Sequence, residues 1–284
     1  EMVLSGVPFP CGQCLACQIN KRRVWTHRMM LEGYKHDASC FITLTYSDDE
    51  LPYVETPEGH LPSLCRRDVQ LFVKRLRKKL SNHFGELGRF RFYICGEYGP
   101  QTNRPHYHGI LFGVDAGYAD WINRAWSQGM TSVFPATTET MQYVAGYVTK
   151  KIVKPRTKKD YRVKEFGLMS RKPGIGMLAL PELIELMRTN EAIQKDIQLS
   201  GDIPVGLRHG NRLLPFGRFL SEKLREALDI STDVGFTRYF HEMLSKQIEF
   251  SKLGKGIIQG LLDESAQRNR QIESRHKIHT RNQL

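Results

Sequence analysis

Between residues 66 and 80, apolar side chains recur at Val69, Phe72, Val73, Leu76 and Leu80, with Arg66, Arg67, Lys74, Arg75, Arg77, Lys78 and Lys79 set between them. Steps of three and four predict an amphipathic helix whose apolar stripe needs a sheet to cover. Residues 39–46 (Ser-Cys-Phe-Ile-Thr-Leu-Thr-Tyr), rich in β-branched and aromatic side chains and stopped by Ser47-Asp48-Asp49, predict such a strand. Residues 90–97 and 106–113 predict two more, joined as a hairpin by the turn-rich stretch 98–105. A short helix over 118–126, a strand over 130–134 and a long helix over 137–152 follow, with Thr137 or Thr138 near the N-cap. Residues 1–20 read as a loop and 21–34 as a basic helix. The order strand, helix, strand, strand, helix, strand, helix predicts an α+β fold: a four- or five-stranded antiparallel sheet with helices on one face, in the ferredoxin/RRM-like manner.

Beyond residue 153 the pattern changes. Lys154, Arg156, Lys158, Lys159, Arg162, Lys164, Arg171 and Lys172 crowd a stretch with little apolar content, which reads as a mobile basic loop. Tyr161 and Phe166 within it are candidates for stacking on unpaired bases. From Leu180 the chain is mainly helical in pattern, with helices over 180–199 and 219–250 separated by the Gly/Pro-bearing stretch 201–217. The polar, basic last twenty residues read as a frayed helix or disorder. The expected organisation is a cysteine-bearing segment and helix over 1–34, a main domain over 35–155, and a basic loop with a mainly helical region over 156–284.

Composition narrows the function classes. The chain has 284 residues, is 40% hydrophobic and carries a formal net charge of +12, enough for a core and strongly drawn to polyanions such as nucleic acid. No apolar run reaches the roughly 18 residues of a membrane span. No secretory pattern opens the chain, so its six cysteines are expected as thiols in a reducing compartment. The chain opens Glu1-Met2, so any residues ahead of that point would be invisible here.

Three constellations carry candidate chemistry. His106 and His108, two apart within an apolar run, aim to one face of a strand. With Glu97 on the neighbouring strand they would give two nitrogens and one oxygen, a set suited to Mg²⁺, Mn²⁺ or Zn²⁺ with positions left open for substrate oxygens. The bland reading is a pair of surface or packing histidines. Tyr107 faces the other way, into the core. Tyr143 and Tyr147, four apart on a helix, present two phenols to one place about 6 Å apart along the axis. An ordinary apolar stripe of Tyr143, Val144, Tyr147 and Val148 fits that spacing too, and spacing alone favours it. Lys150 would favour negative charge developing nearby. Cys11, Cys14 and Cys17 could bind Zn²⁺ with a fourth ligand such as Cys40 or His27, although zinc sites usually show two separated pairs; free thiols are the competing reading. About half of the basic side chains over 66–79 read as a solvated face.

Phe41-Ile-Thr-Leu-Thr45, Pro105-His106-Tyr-His108 and Tyr143-Val-Ala-Gly-Tyr147-Val-Thr-Lys150-Lys151 together resemble the three ordered motifs of HUH rolling-circle replication initiators, the two-tyrosine superfamily. They are most similar to the initiators of microviruses, small single-stranded DNA phages, especially the gokushovirus branch. Cys11-Gly-x-Cys14-x-x-Cys17 followed by Trp25 and Arg28, and the segment 169–176, extend the resemblance over roughly residues 11–176. It implies an HUH endonuclease fold and a metal-dependent enzyme that nicks and rejoins single-stranded DNA at a replication origin.

In that family a tyrosine attacks a phosphate polarised by a divalent cation (Mg²⁺ or Mn²⁺), leaving a 5′-phosphotyrosine link and a free 3′-OH. The second tyrosine cuts the regenerated origin, and the 3′-OH closes the released circle. The resemblance carries over His106 and His108 as ligands, Tyr143 and Tyr147 as nucleophiles, and Lys150 as the lysine of a Tyr-x-x-Lys pattern. Gly146 stands at the matching place after Tyr143, which makes Tyr147 the first candidate for the initiating attack. Glu97 as third ligand rests on its position near the histidine strand and not on a motif. Lys151, Lys154, Arg156, Lys158, Lys159 and Arg162 are the candidate DNA contacts. The implied setting is the cytoplasm of an infected bacterium, with host helicase and polymerase as partners and no membrane. The rival readings are a non-catalytic single-stranded nucleic-acid-binding module with a structural metal, and a small-molecule metalloenzyme, which fits the charge poorly.

Overall fold

The computed structural model describes residues 2–4, 7–9, 11–57, 59–150, 161–230 and 235–281, with the backbone alone at 2–4, 7–9, 148–150, 235–242 and 275–281. In chain order the elements are β1 (Met2–Leu4), β2 (Val7–Phe9), α1 (Leu15–Gly33), β3 (Ser39–Thr45), β4 (Tyr53–Thr56), β5 (Gly59–Pro62), α2 (Arg66–Phe84), β6 (Arg91–Tyr98), β7 (Pro105–Phe112), α3 (Ala119–Trp126), β8 (Thr131–Pro135), α4 (Thr138–Lys150) and β9 (Phe166–Met169). Then come α5 (Leu180–Thr189), α6 (Glu191–Ser200), β10 (Gly206–His209), β11 (Arg212–Pro215), α7 (Gly217–Ala227), α8 (Gly235–Lys252) and α9 (Ile257–Arg281). The chain divides into two compact units, residues 25–179 and residues 1–24 with 180–284.

The unit 25–179 is built on a five-stranded antiparallel sheet in the order β8-β3-β7-β6-β9. Strand alternation divides its side chains between two cores. On one face Cys40, Ile42, Leu44, Ile94, Tyr107 and Leu111 pack beneath Val69, Phe72, Val73, Leu76 and Leu80 of α2 and Ile122 and Trp126 of α3. On the other, Tyr93, Cys95, Ile110 and Phe112 pack against Met29 of α1 and Met141, Val144, Ala145 and Tyr147 of α4. Helices therefore cover both faces, correcting the one-faced arrangement expected from element order. A strand alternates between two faces, and element order does not say which face each helix takes.

Tyr107 sits in the α2-facing core as its alternation requires, and its hydroxyl joins the start of α2 to the sheet. It shares a 2.8 Å hydrogen bond with the Tyr46 hydroxyl and lies 2.9 Å from the Cys65 N–H and 3.0 Å from the Cys65 carbonyl. Tyr46 in turn donates to Asp68. Several basic residues of α2 are structural and not a solvated face. The Arg75 guanidinium donates to the carbonyls of Ala125 and Trp126 at the end of α3, at 2.7 and 2.9 Å, and those of Arg66 and Arg77 lie over the rings of Phe166 and of Phe90 and Phe92.

The described part of the expected basic loop is held in place. Val163 accepts from the Tyr98 hydroxyl and donates to Ser63 Oγ, and residues 166–169 pair with β6 as an edge strand. Phe166 is buried in the α2-facing core, so it is not a base-stacking side chain; its aromatic ring and its Gly-Leu-Met continuation satisfy a sheet edge. Hairpin β4–β5 interrupts what the sequence presents as a loop.

The other unit holds the hairpin β1–β2, the first turns of α1, the helices α5–α9 and the hairpin β10–β11. Helix α1 begins at Leu15, so the cysteine segment is only partly a loop. The expected helix 180–199 is two helices parted at Asn190, whose side chain accepts from the Ile193 N–H and starts the second. Asp202, almost fully buried, takes both ends of the Arg225 guanidinium at 2.7 and 2.8 Å. The last residues form α9, which packs Leu261 near Phe250; a Cβ on Gly260 would overlap the Phe250 ring, so glycine lets α8 and α9 close.

Glu32, fully buried, joins α1 to the site-bearing sheet. Its carboxylate pairs with Arg91 on β6, accepts from the Gly176 N–H at 2.6 Å and lies 3.5 Å from the His36 ring. Burial alone would raise its pKa, but the hydrogen bonds from His36, Gly176 and Arg91 outweigh it and hold the carboxyl below its ordinary 4.5. Its contribution to stability is therefore complete above the unfolded value and lost as pH falls through the lower folded one. Replacing Glu32 by Ala strands the Arg91 charge and is expected to cost about 3–5 kcal/mol in urea unfolding at neutral pH, with the gap from wild type closing in acid. A loss that stays constant with pH would show that Glu32 acts through packing.

Candidate metal and tyrosine site

The site is set by the register of three strands. On β6 and β7, Glu97 lies directly opposite His106 and Cys95 opposite His108; on β3, Thr43 lies opposite His108. Alternation then sends Glu97, His106, His108 and Thr43 to the α4 side of the sheet. Glu97 Oε1 is 2.8 Å from His106 Nε2 and 3.5 Å from His108 Nε2, and the three donor atoms lie within 4.8 Å of one another. Glu97 and His108 are both buried, which raises the cost of any uncompensated charge there.

Each imidazole is held at its far nitrogen. His106 Nδ1 is 3.1 Å from the Arg104 carbonyl oxygen, which can only accept, so Nδ1 carries the hydrogen. In the neutral ring the Nε2 lone pair then faces the Glu97 carboxylate. Two electron-pair donors aimed at one point require a positive charge, supplied by a cation or by a second ring proton. His108 Nδ1 lies 3.0 Å from Thr43 Oγ1, leaving its Nε2 turned to the same point. Two nitrogens and one carboxylate oxygen, each ring braced from behind, fit a divalent metal of the Mg²⁺, Mn²⁺ or Zn²⁺ kind.

Helix α4 brings the phenols to this point. Its start is fixed by Thr137 and Thr140: the Thr140 N–H donates to Thr137 Oγ1 at 3.3 Å and the Thr137 N–H to Thr140 Oγ1 at 2.8 Å, a reciprocal cap. Val144 and Ala145 are fully buried against the sheet. The packing stripe and the chemical face therefore share one helix, and the bland reading is half right. Tyr147 stacks parallel on the His108 ring, with centroids 5.0 Å apart and 7° between planes, and Tyr143 meets both rings edge-on at 5.2 Å from His108 and 4.7 Å from Tyr147.

The phenols differ in exposure. Tyr143 is 48% exposed and Tyr147 only 4%. Burial, then hydrogen bonding to Tyr143 and the nearby Glu97 charge, pushes the Tyr147 phenol far above its ordinary range, so it cannot be a standing phenolate at neutral pH.

Of the other expected residues, Lys150 is the last residue of α4 and its side chain lies outside the described residues, as do Lys151, Lys154, Arg156, Lys158 and Lys159 altogether. The Arg162 guanidinium lies over the Tyr98 ring at 4.6 Å, at the far end of the strand that carries Glu97. Cys11, Cys14 and Cys17 gather their sulfurs within 4.8 Å. Neither expected fourth ligand joins them: Cys40 is buried in the α2-facing core, and His27 is fully buried.

Sequence reading missed three parts of the site. Thr43 braces His108, the Arg104 carbonyl braces His106, and Phe41 stacks on His108 at 5.9 Å and 8°. The signal for the first and last was present: Phe41 and Thr43 alternate with Cys40, Ile42 and Leu44, placing an aromatic and a hydroxyl on the histidine face. The carbonyl of a turn residue leaves no trace in residue type.

Residues 39–152 match the family model of the replication-associated protein ORF2. The chain is a relative of rolling-circle replication initiators. It is 30% identical over 168 residues to the replication-associated protein VP4 of Bdellovibrio phage phiMH2K, covering 52% of this chain and 50% of that protein. With the replication-associated protein ORF2 of Spiroplasma virus 4 it shares 31% over 161 residues, 50% of this chain and 48% of that protein. The chain thus spans about half the length of the curated relatives it matches. Among solved structures, the N-terminal nuclease domain of minute virus of mice non-structural protein-1 aligns over 57% of this chain and 83% of that chain, at 12% identity and a TM-score of 0.21, too weakly to bear on the site.

If Thr43 fixes the His108 ring, Thr43→Val should weaken Mn²⁺ binding about tenfold or more in a calorimetric titration, with the circular dichroism spectrum unchanged. Unaltered affinity would show that the ring is held by Phe41 and Tyr147 stacking alone.

Proposed function

We propose that this protein is a replication initiator that nicks single-stranded phage DNA at an origin by tyrosine transesterification and later rejoins it. The observation that carries the reading is the stacking of two phenols on His108 beside Glu97 and His106. A nuclease that used water would have no need of two tyrosines at that place, and a mere binding module would have no need of the carboxylate facing two imidazole nitrogens.

Glu97, His106 and His108 would hold a divalent cation, Mg²⁺ or Mn²⁺, whose charge supplies polarisation of the scissile phosphate. The protein's own side chains do the rest. A tyrosine oxygen attacks phosphorus, the bond from phosphorus to the 3′ oxygen breaks, and the phenolic proton ends on the departing 3′ oxygen as a hydroxyl. One phosphodiester is exchanged for another, so the phosphotyrosine link keeps the bond energy needed for rejoining by a 3′-OH. Tyr143, half exposed, meets an incoming phosphate without rearrangement and is the phenol for the first cut. This reverses the order suggested by the Tyr-x-x-Lys spacing. Tyr147, covered by Tyr143 and hydrogen-bonded toward Glu97, acts once Tyr143 is occupied. Lys150, one turn beyond Tyr147, is assigned to neutralise charge on the phosphate.

The partner in this reading is single-stranded DNA at an origin, drawn by the net charge of +12 and gripped by Arg162 together with Lys151, Lys154, Arg156, Lys158 and Lys159. Host polymerase would extend the 3′-OH and host helicase would part the strands, in the cytoplasm of the infected bacterium. Among the described residues no helix is long and apolar enough to cross a membrane.

Incubation with labelled single-stranded circular DNA and Mn²⁺, followed by denaturing electrophoresis, tests the reading. Wild type should give a chelator-sensitive protein-linked band. The Tyr143→Phe, Tyr147→Phe double variant should lose it by a factor of about a thousand or more while still retaining DNA on a filter in a salt-dependent way. An undiminished adduct in the double variant would refute the tyrosine assignment, and DNA retention by wild type with no adduct would identify a binding module.

A further inference from the structure

The cysteine group lies outside everything the nicking reaction uses, and its geometry is specific. Cys11 and Cys14 flank a tight turn in which Gly12 takes a φ of 73°, and Cys17 stands in the first turn of α1. Two backbone N–H groups point at one sulfur: Gln13 N is 3.4 Å and Cys14 N 3.2 Å from Cys11 Sγ. The turn is closed by Gln18, whose side-chain amide donates to the Gln13 carbonyl at 2.6 Å and whose backbone N–H donates to the Cys14 carbonyl. A sulfur receiving two backbone donors is a sulfur arranged to carry negative charge.

The spacing of the sulfurs distinguishes between occupants. Cys11 Sγ and Cys17 Sγ are 4.0 Å apart, and all three sulfurs lie within 4.8 Å of one another. A tetrahedral zinc with bonds of about 2.3 Å separates its thiolates by about 3.8 Å. A disulfide would need about 2.05 Å. An iron–sulfur cluster, where each thiolate binds a different iron, spreads them farther. Among the described residues no other His, Cys, Asp or Glu joins the group.

We propose that Cys11, Cys14 and Cys17 bind one zinc ion as thiolates, with a solvent molecule in the fourth position, closing residues 11–17 onto the start of α1. Soft thiolates select zinc over the hard cations that suit Glu97, His106 and His108, so the chain holds two chemically separate metal sites. The thiolate site stands whether or not the tyrosines are nucleophiles.

Reconstitution of the full chain with Co²⁺ under reducing conditions tests this directly. The expected result is one equivalent of cobalt giving a thiolate charge-transfer band in the near ultraviolet and the intense visible bands of four-coordinate cobalt. These features should persist in His106→Ala, His108→Ala and in Cys65→Ser, and vanish in Cys14→Ser. Should Cys14→Ser not fold, mercurial titration of the wild-type zinc protein decides the matter: zinc release in step with modification of three thiols supports the site. Absence of the charge-transfer band, its survival in folded Cys14→Ser, retention of zinc after those thiols have reacted, or a Cys11–Cys17 disulfide in anaerobically purified protein would each overturn it.

Discussion

Everything chemical in this molecule depends on the antiparallel register of β6 and β7, which sets Glu97 opposite His106 and places His108 two residues along on the same face. A slip of one residue would send both imidazoles into the α2-facing core and turn Tyr107 toward α4. The register is pinned from the other face: Tyr107 is tied to Cys65 and Tyr46, and Gly109 lets the strands approach where a Cβ would lie 2.6 Å from Ile94 Cγ1 and 2.9 Å from the Tyr93 carbonyl oxygen. Packing on one side of the sheet thus holds the donor set on the other.

The two faces have different tasks. The α2 side is a dense apolar core with Trp126, Phe72 and Tyr107 at its centre. The α4 side is interrupted by polar groups that are each answered: Glu32 by Arg91 and the Gly176 N–H, His108 by Thr43, His106 by the Arg104 carbonyl. Glu97, His106 and His108 are the place where the answering falls short of neutrality, because a carboxylate and ring lone pairs face one another. A buried cluster of that kind is stable only with added positive charge, which gives the site its appetite for a cation. The stacking of Tyr147 on His108 then places a phenol next to that charge, and Tyr143 stands at the opening.

Much of this was legible in the sequence. The stripe from Val69 to Leu80, the strands around Ile42, Ile94 and Ile110, and the pairing of His106 with His108 follow from periods of 3.6 and 2, which survive any tertiary context. Other features depend on contacts between distant segments. Phe166 reads as an aromatic in a basic loop, and only the free edge of β6 makes it a strand residue. The helix faces could not be read because a one-dimensional pattern says that a face is apolar without saying which side of a sheet it meets. Helix α1 begins earlier than its basic pattern suggests, since Cys14 and Gln18 supply its first hydrogen bond. The order of the tyrosines inverts for the same reason: motif spacing favours Tyr147, and three-dimensional burial exposes Tyr143.

The central claim is that Glu97, His106 and His108 converge to hold a cation, and a crystal soaked in Mn²⁺ tests it most directly. An anomalous difference peak bonded to Glu97 Oε1, His106 Nε2 and His108 Nε2, beside the Tyr143 hydroxyl and absent from Glu97→Gln crystals, is the predicted result. Ordered crystals with no peak among these three atoms, and a proton shared between Glu97 and His106 in its place, would contradict the account.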